Sequence, residues 1–97
     1  MLGASVSAQI VSEDARAYQL SVRVLEGRSE TTHEVTLGRA LLSRLAPAVA
    51  PEDFVARCFA FLLEREPKES ILERFDVSVI GRYFPDFERT IANSASA

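Results

Sequence analysis

His33 and Cys58 are the only histidine and the only cysteine of the chain, and together they could form a nucleophilic pair. Such a pair needs the imidazole within hydrogen-bond reach of the thiol, in a polar and partly open site. Cys58 instead stands in an apolar stretch among Phe54, Phe59 and Leu62, which favours packing in a core. His33 has no visible partner, and we interpret it as a strand residue whose ring is satisfied by hydrogen bonds. The sequence therefore predicts no catalytic residue.

Acidic residues are frequent in the last third of the chain, where they could serve acid–base catalysis or hold a divalent cation. Basic residues alternate with them, which is typical of solvated helix surfaces. The sequence contains no EF-hand spacing, glycine-rich phosphate loop, HExxH or GxSxG motif. A single cysteine excludes an internal disulfide and a cysteine-based zinc site. We predict that the protein is not an enzyme and binds neither a metal nor a cofactor. The acidic residues are Glu64, Glu66, Glu69, Glu73, Asp76, Asp86 and Glu88, and the basic ones are Arg65, Lys68, Arg74, Arg82 and Arg89.

The charge distribution bears on nucleic-acid binding. Eleven basic and fourteen acidic residues give a net charge of -3, and the two signs are interspersed along the chain. Strong attraction to phosphate backbones needs clustered Lys and Arg, so the charge pattern argues against nucleic acid as a partner. However, the strand and two helices expected over 33–66 resemble the ribbon-helix-helix pattern of small repressors, in which paired strands enter the major groove. A DNA-binding regulator of this kind is the alternative function, although the strand contains no Arg or Lys and two further strands precede it.

The segment 82-RYFPDF-87 combines aromatic side chains, an arginine and a proline, which is the mixture enriched in protein interfaces. We expect Phe84 and Phe87 to close the core, and Arg82 and Tyr83 to be at least partly exposed. The favoured function is therefore a non-enzymatic protein–protein interaction or regulatory module. Its partner is an unidentified protein or a second copy of the chain in a homodimer. The candidate partner-binding residues are Arg74, Arg82, Tyr83 and Asp86.

Hydrophobic periodicity predicts three antiparallel strands in the first part of the chain. In 18-YQLSVRVL-25 apolar residues occupy every second position, the period of a half-buried strand. The alternation resumes at 31-TTHEVTL-37 after the turn 26-EGRS-29, so the two runs read as a hairpin. The run 5-SVSAQIV-11 alternates in the same way and predicts a strand before the hairpin.

From Gly38 the period changes to that of a helix. Helices are predicted over 39–46 and, starting at Pro51, over 52–66; the second carries a broad apolar stripe. Pro67 should begin a new helix over 67–75, with Ile71, Leu72 and Phe75 on its inner face. Asp76 is placed to cap a short turn over 77–84, and a last helix is expected over 86–92.

These elements predict one α+β domain over 1–92, followed by a disordered tail at 93–97. The domain should contain an N-terminal antiparallel sheet of about three strands and then three or four short helices packed on one face of it. Ninety-seven residues suit a single domain of this kind.

The start of the chain has no basic segment followed by an apolar core, and no window approaches a membrane span, so we expect a soluble cytoplasmic protein. The string 61-FLLEREPKESILERFDVSVIGRYFPDFE-88, with 33-HEVTL-37 ahead of it, resembles a family of small, uncharacterised bacterial proteins. The likeness covers roughly residues 17 to 90. It implies a bacterial cytoplasmic protein and brings with it no activity and no catalytic or binding residue.

Overall fold

The computed structural model describes residues 3–96 and has the α+β architecture that the sequence predicts, with the sheet in the N-terminal part and the helices after it. The strands are β1 (Ser5–Glu13), β2 (Ala17–Glu26), β3 (Ser29–Gly38) and β4 (Arg74–Asp76); the helices are α1 (Arg39–Leu45), α2 (Pro51–Leu63), α3 (Ile80–Tyr83) and α4 (Phe87–Ser96). Two 3₁₀ turns, Lys68–Ser70 and Val77–Val79, flank β4. No helix in the described part of the chain is both long enough and apolar enough to cross a membrane.

The sheet has the strand order β1-β2-β3-β4. The first three strands are antiparallel neighbours, as predicted, and β4 pairs with β3 in parallel. Glu26 pairs with Ser29, so the β2–β3 loop has two residues, and its first residue, Gly27, has a φ of 62°. Glycine adopts this left-handed conformation without the strain that a Cβ would cause, which explains the tight turn.

Helix α2 is the main element covering the sheet, and its predicted apolar stripe is confirmed. Its first turn carries Glu52 and Asp53, which suit the positive end of the helix dipole. The helix ends at Leu63, three residues before the predicted end. Phe61 belongs to this buried face and packs against the rings of Phe84 and Phe87. The buried residues of α2 are Phe54, Val55, Cys58, Phe59, Phe61 and Leu62.

The helix predicted over 67–75 is not present. Its residues form a 3₁₀ turn, an extended stretch and strand β4 instead. Ile71 and Phe75 still reach the core, with 7% and 8% of their surface exposed, but Phe75 does so by pairing with Val35 of β3. The backbone N–H of Glu34 also donates to the Glu73 carbonyl at 2.7 Å. This segment thus forms hydrogen bonds to β3 in place of the hydrogen bonds of a helix. Its apolar residues can be buried from either conformation, so their spacing does not distinguish a strand from a helix.

The last helix is longer than expected. α4 runs through Ser96, so residues 93–96, predicted as part of a disordered tail, continue the helix, while residue 97 lies outside the described residues. Ile91, 2% exposed, anchors the helix in the core. The Arg57 guanidinium donates to the Ser94 carbonyl at 3.3 Å, which satisfies one of the carbonyl groups left open at a helix end.

Candidate functional site: an apolar groove beside Tyr83

A groove of about 300 Å³ opens on the surface where the end of α2, the extended stretch before β4 and the α3 region meet. Its lining is mostly apolar, and only Glu66, Ser70 and the phenol of Tyr83 bring polar side-chain atoms to it. The apolar side chains of the lining are Leu62, Ile71, Leu72, Phe75, Val79, Ile80 and Phe84. Such a concave, mainly apolar surface is the usual form of a site that accepts apolar groups of a ligand or partner.

Two prolines and one aspartate bring these segments together. Pro67, with an extended backbone (φ -69°, ψ 158°), follows the end of α2 and turns the chain back toward the sheet. The Asp76 carboxylate accepts from the Ser78 backbone N–H at 2.9 Å, the predicted cap, and so begins the turn that leads into α3. Pro85 lies between α3 and α4. The walls of the groove are therefore fixed by local chain reversals. The cap at Asp76 was predicted from the sequence, whereas the helix predicted to begin at Pro67 is replaced by a 3₁₀ turn and an extended stretch.

Two large side chains remain exposed at the groove. Leu72 is 49% exposed and Tyr83 is 68% exposed, whereas Ile71 and Ile80, next to them in the lining, are buried. Leu72 was predicted to face inward, but the extended backbone at 71–72 turns successive side chains to opposite sides, so only one of the two neighbours can be buried. Exposed apolar side chains that border an apolar groove are a feature of binding surfaces.

His33 holds the wall of the groove in place from inside the core. Its ring is 2% exposed and packs against Phe59 at a centroid distance of 5.2 Å. Nδ1 lies 2.8 Å from the Leu72 carbonyl oxygen, and Nε2 lies 2.9 Å from the Thr31 hydroxyl. Because a carbonyl can only accept, Nδ1 carries the proton and donates it to Leu72. The prediction of a strand histidine with a satisfied ring is confirmed, and its hydrogen bond fixes the backbone of a groove residue.

The structure does not support a Cys58–His33 pair. Cys58 is 1% exposed, and burial raises the pKa of its thiol, which disfavours the reactive thiolate. Both nitrogens of His33 already bond other groups, so neither is available to accept a proton from the thiol. The predicted packing role of Cys58 is confirmed.

The four candidate partner-binding residues are not all brought together. Tyr83 lines the groove, and Arg82, exposed as predicted, precedes it. Asp86 is half-buried and pairs with Arg65 at 3.3 Å. Arg74 lies apart from them, since it faces Glu34 across the β3–β4 pair, on the side of β4 opposite to buried Phe75, and bonds it at 2.9 Å.

Arg65 contacts both the Asp86 carboxylate and the ring of Phe61. Its guanidinium carbon lies 3.5 Å from the centre of the Phe61 ring, which fits a cation–π contact. Phe61 packs edge-on against Phe84 and Phe87 at 5.8 and 5.1 Å. Phe87 is 1% exposed and Phe84 is half-buried, so Phe87 closes the core as expected, while Phe84 is shared between the core and the groove.

Lys68 and Glu69, in the turn after α2, have structural partners. Lys68 is 3% exposed and donates to the Glu69 carboxylate, with Glu26 of β2 at 3.5 Å. The hydrogen bond to Glu69 raises the pKa of Lys68, and the same bond lowers the pKa of Glu69. This pairing attaches the first 3₁₀ turn to the end of β2. Among residues 3–96 no group of three or more histidine, cysteine or acidic side chains is arranged to hold a metal ion.

Comparison with protein-family profiles, with curated proteins and with solved structures finds no match to this chain.

Proposed function

We propose that the protein is a non-enzymatic interaction module that binds an apolar segment of a partner protein in the groove beside Tyr83. The observation that carries the proposal is the combination of the apolar groove with the exposed side chains of Leu72 and Tyr83. Tyrosine is enriched among the residues that dominate binding energy at interfaces, and leucine beside it adds apolar area. The groove is open to solvent and suits one or two side chains of a partner.

The charge of the groove indicates which charged residue the partner would carry. Glu66 is the acidic residue of the lining, and it makes no ion pair with another side chain of residues 3–96. A basic residue next to the apolar anchor of the partner would pair with this carboxylate at the edge of the groove. Complementary charge at an interface favours specificity and fast association. The proposed ligand is thus a peptide segment with a large apolar side chain and a neighbouring Lys or Arg.

The topology of the sheet gives no support to the ribbon-helix-helix alternative. In that architecture the strand before the helices pairs with a second copy, but β3 already pairs with β2 on one side and with β4 on the other. Its outward side chains include Glu30 and Glu34, which would face phosphates with the wrong charge. We therefore do not carry DNA binding forward as a second function.

Selection from a displayed peptide library tests the proposal directly. Peptides selected on the wild-type protein should share a large apolar residue next to Lys or Arg, and their affinity should fall at least about thirtyfold for the double variant Leu72→Ser/Tyr83→Ser. Glu66→Lys should lose the preference for the basic residue and keep the apolar one. The matched control is Leu25→Ser, which replaces another exposed leucine (42% exposed) on β2, away from the groove.

Urea unfolding of all variants shows whether the fold is retained, which is expected because the substituted leucines and Tyr83 are exposed. Selected peptides that bind the double variant as tightly as the wild type would rule out the groove as the binding site. A library that yields no specific binder would contradict the proposed partner chemistry.

A further inference from the structure

Strand β1 leaves one long edge of the sheet open. It runs from Ser5 to Glu13 and has β2 as its only strand neighbour in the described part of the chain. Half of its backbone N–H and C=O groups therefore point away from β2, toward an edge where no strand of residues 3–96 lies. The opposite edge differs, since β4 has three residues and is followed at once by a 3₁₀ turn. An open edge of nine residues is a template for pairing with another strand.

β1 lacks most of the features that protect free edges. The sequence 5-SVSAQIVSE-13 contains no lysine, arginine or proline, and its only charged residue is Glu13 at the end. Natural edge strands are usually blocked by such residues or by bulges. The one irregularity, between Ile10 and Ser12, leaves the stretch from Ser5 to Ile10 regularly paired with β2. An uncharged, regular edge of this kind is suited to strand addition.

The inward side chains of β1 are incompletely covered. Val6, Ala8 and Ile10 face the core, and each is half-buried. Their direct neighbours on β2 are Val24, Val22 and Leu20, which are 0%, 0% and 1% exposed. Since α2 packs on the inner side of β1 and β2 covers one flank, the remaining exposure of this apolar row lies toward the open edge. A further strand at that edge would complete the burial.

We propose that the partner at this edge is a second copy of the chain, with the two β1 strands paired antiparallel about a two-fold axis perpendicular to the sheet. This symmetry keeps residues that face each other on the same side of the sheet. A register centred on Ala8 places Val6 opposite Ile10 on the inner side and Ser7 opposite Gln9 on the outer side. Glu13 then extends beyond the paired stretch, so no like charges face each other.

The result is a continuous eight-stranded sheet with both helical layers on one side. This interface does not depend on the proposed function, because the groove is built around Phe75 of β4 at the opposite edge of the sheet. Leu72→Ser/Tyr83→Ser should leave the dimer intact. The two proposals can therefore fail separately.

A pair of charge variants on the outer side tests the dimer. Ser7 and Gln9 are exposed, so lysine fits at both positions without entering the core. Sedimentation equilibrium should give a wild-type mass of twice 10.7 kDa. Ser7→Lys/Gln9→Lys places lysines opposite lysines and should weaken the dimer at least about tenfold. The control Ser7→Lys/Gln9→Glu places lysine opposite glutamate in the same register and should retain the dimer, more strongly at low salt.

Disulfide formation tests the register. Ala8→Cys should crosslink two chains on mild oxidation, because opposite residues of paired strands have Cα atoms within disulfide range. Ser7→Cys/Gln9→Cys should crosslink as well, while Ser7→Cys alone should not, since position 7 faces position 9. Buried Cys58 provides a low background. A wild-type mass of 10.7 kDa at all accessible concentrations, or a dimer that survives Ser7→Lys/Gln9→Lys, would overturn the proposal. So would a dimer in which neither Ala8→Cys nor Ser7→Cys/Gln9→Cys crosslinks.

Discussion

His33 shows how one side chain connects the core to the proposed binding surface. Its ring fills space against Phe59 while Nδ1 donates to the Leu72 carbonyl and Nε2 bonds the Thr31 hydroxyl. The sequence predicted a strand residue with a satisfied ring at position 33 but could not identify the partners of that ring. Leu72 is 39 positions away in the chain, and such a contact leaves no periodic signal.

His33→Phe should lower the free energy of unfolding by about 1–3 kcal/mol, because it keeps the aromatic volume but leaves the Leu72 carbonyl without its donor. It should also weaken binding of the selected peptides, since the backbone of Leu72 is no longer held. Urea unfolding and peptide titration measure the two effects. Thr32→Val, at the exposed neighbouring strand position, is the control and should change stability by no more than about 0.5 kcal/mol. Equal stability of His33→Phe and the wild type would show that the hydrogen bond has no net value.

At the scale of elements, the sequence predicts what has a repeated pattern. The alternation over 18–25 and 31–37 and the glycine between them predict the hairpin, and the apolar stripe predicts α2. β4 is not predicted because a strand of three residues shows no detectable alternation. In addition, Ile71, Leu72 and Phe75 have a spacing that also fits a helix. The competing signal, pairing with β3, comes from distant residues. The groove is not predicted either, because its lining comes from segments that are separate in the sequence. The exposure of Arg82 and Tyr83 was predicted correctly.

Hydrogen bonds to three carboxylates predict a loss of stability in acid. Hydrogen bonds lower the pKa of three carboxyl groups: backbone N–H groups of Arg16 and Ala17 act on Asp14, Lys68 on Glu69, and Arg44 on Glu88. A carboxyl with a lowered folded pKa contributes stability above its ordinary pKa, and this is lost as the pH falls through the folded value. The urea midpoint should therefore decrease between neutral pH and about pH 3.

The link between a lowered pKa and stability can be tested at Glu88. Its carboxylate accepts two hydrogen bonds from Arg44, at 2.9 and 3.1 Å, which join α4 to α1. Glu88→Gln should be less stable than the wild type at neutral pH and lose less stability in acid, so that the two proteins converge. The effect is small, since the Arg44 and Glu88 side chains are 58% and 44% exposed and water screens the pair. Arg44→Gln removes the same pair from the other side and should flatten the pH dependence in the same way. Parallel pH curves for wild type and Glu88→Gln would refute the linkage.

For the whole molecule, the two proposed surfaces lie at opposite edges of one sheet and share one core. α2 contacts β1 on one side, and at its other end contributes Leu62 to the groove. A partner bound in the groove and a second copy bound at β1 would therefore not compete for surface. In a two-fold dimer each copy presents its own groove, so one assembly could hold two partner segments and gain avidity for a partner that carries two such segments.

Phe59 of helix α2 lies between that helix and strands β3 and β4. Its side chain is 0% exposed, and its ring packs against His33 of β3 at 5.2 Å and against Phe75 of β4 at 5.9 Å. Phe59→Ala should therefore leave a cavity between α2 and both strands and cost ~3–5 kcal/mol of unfolding free energy. A chain of this size typically has about 5–15 kcal/mol in total, so its melting temperature should fall by more than about 10 °C.

The comparison must be made at one protein concentration, because dimerisation would make the melting temperature concentration-dependent. Leu63→Ala on the same helix is the control: Leu63 is half-buried at the edge of the core, so its truncation should cost clearly less. If Phe59→Ala melted at the wild-type temperature, the packing of α2 on β3 and β4 would be wrong, and with it the placement of the groove. If it cost no more than Leu63→Ala, the centre of the core would lie elsewhere than at Phe59. A large loss specific to Phe59 would instead show that one aromatic residue joins the helix to the strand that carries His33.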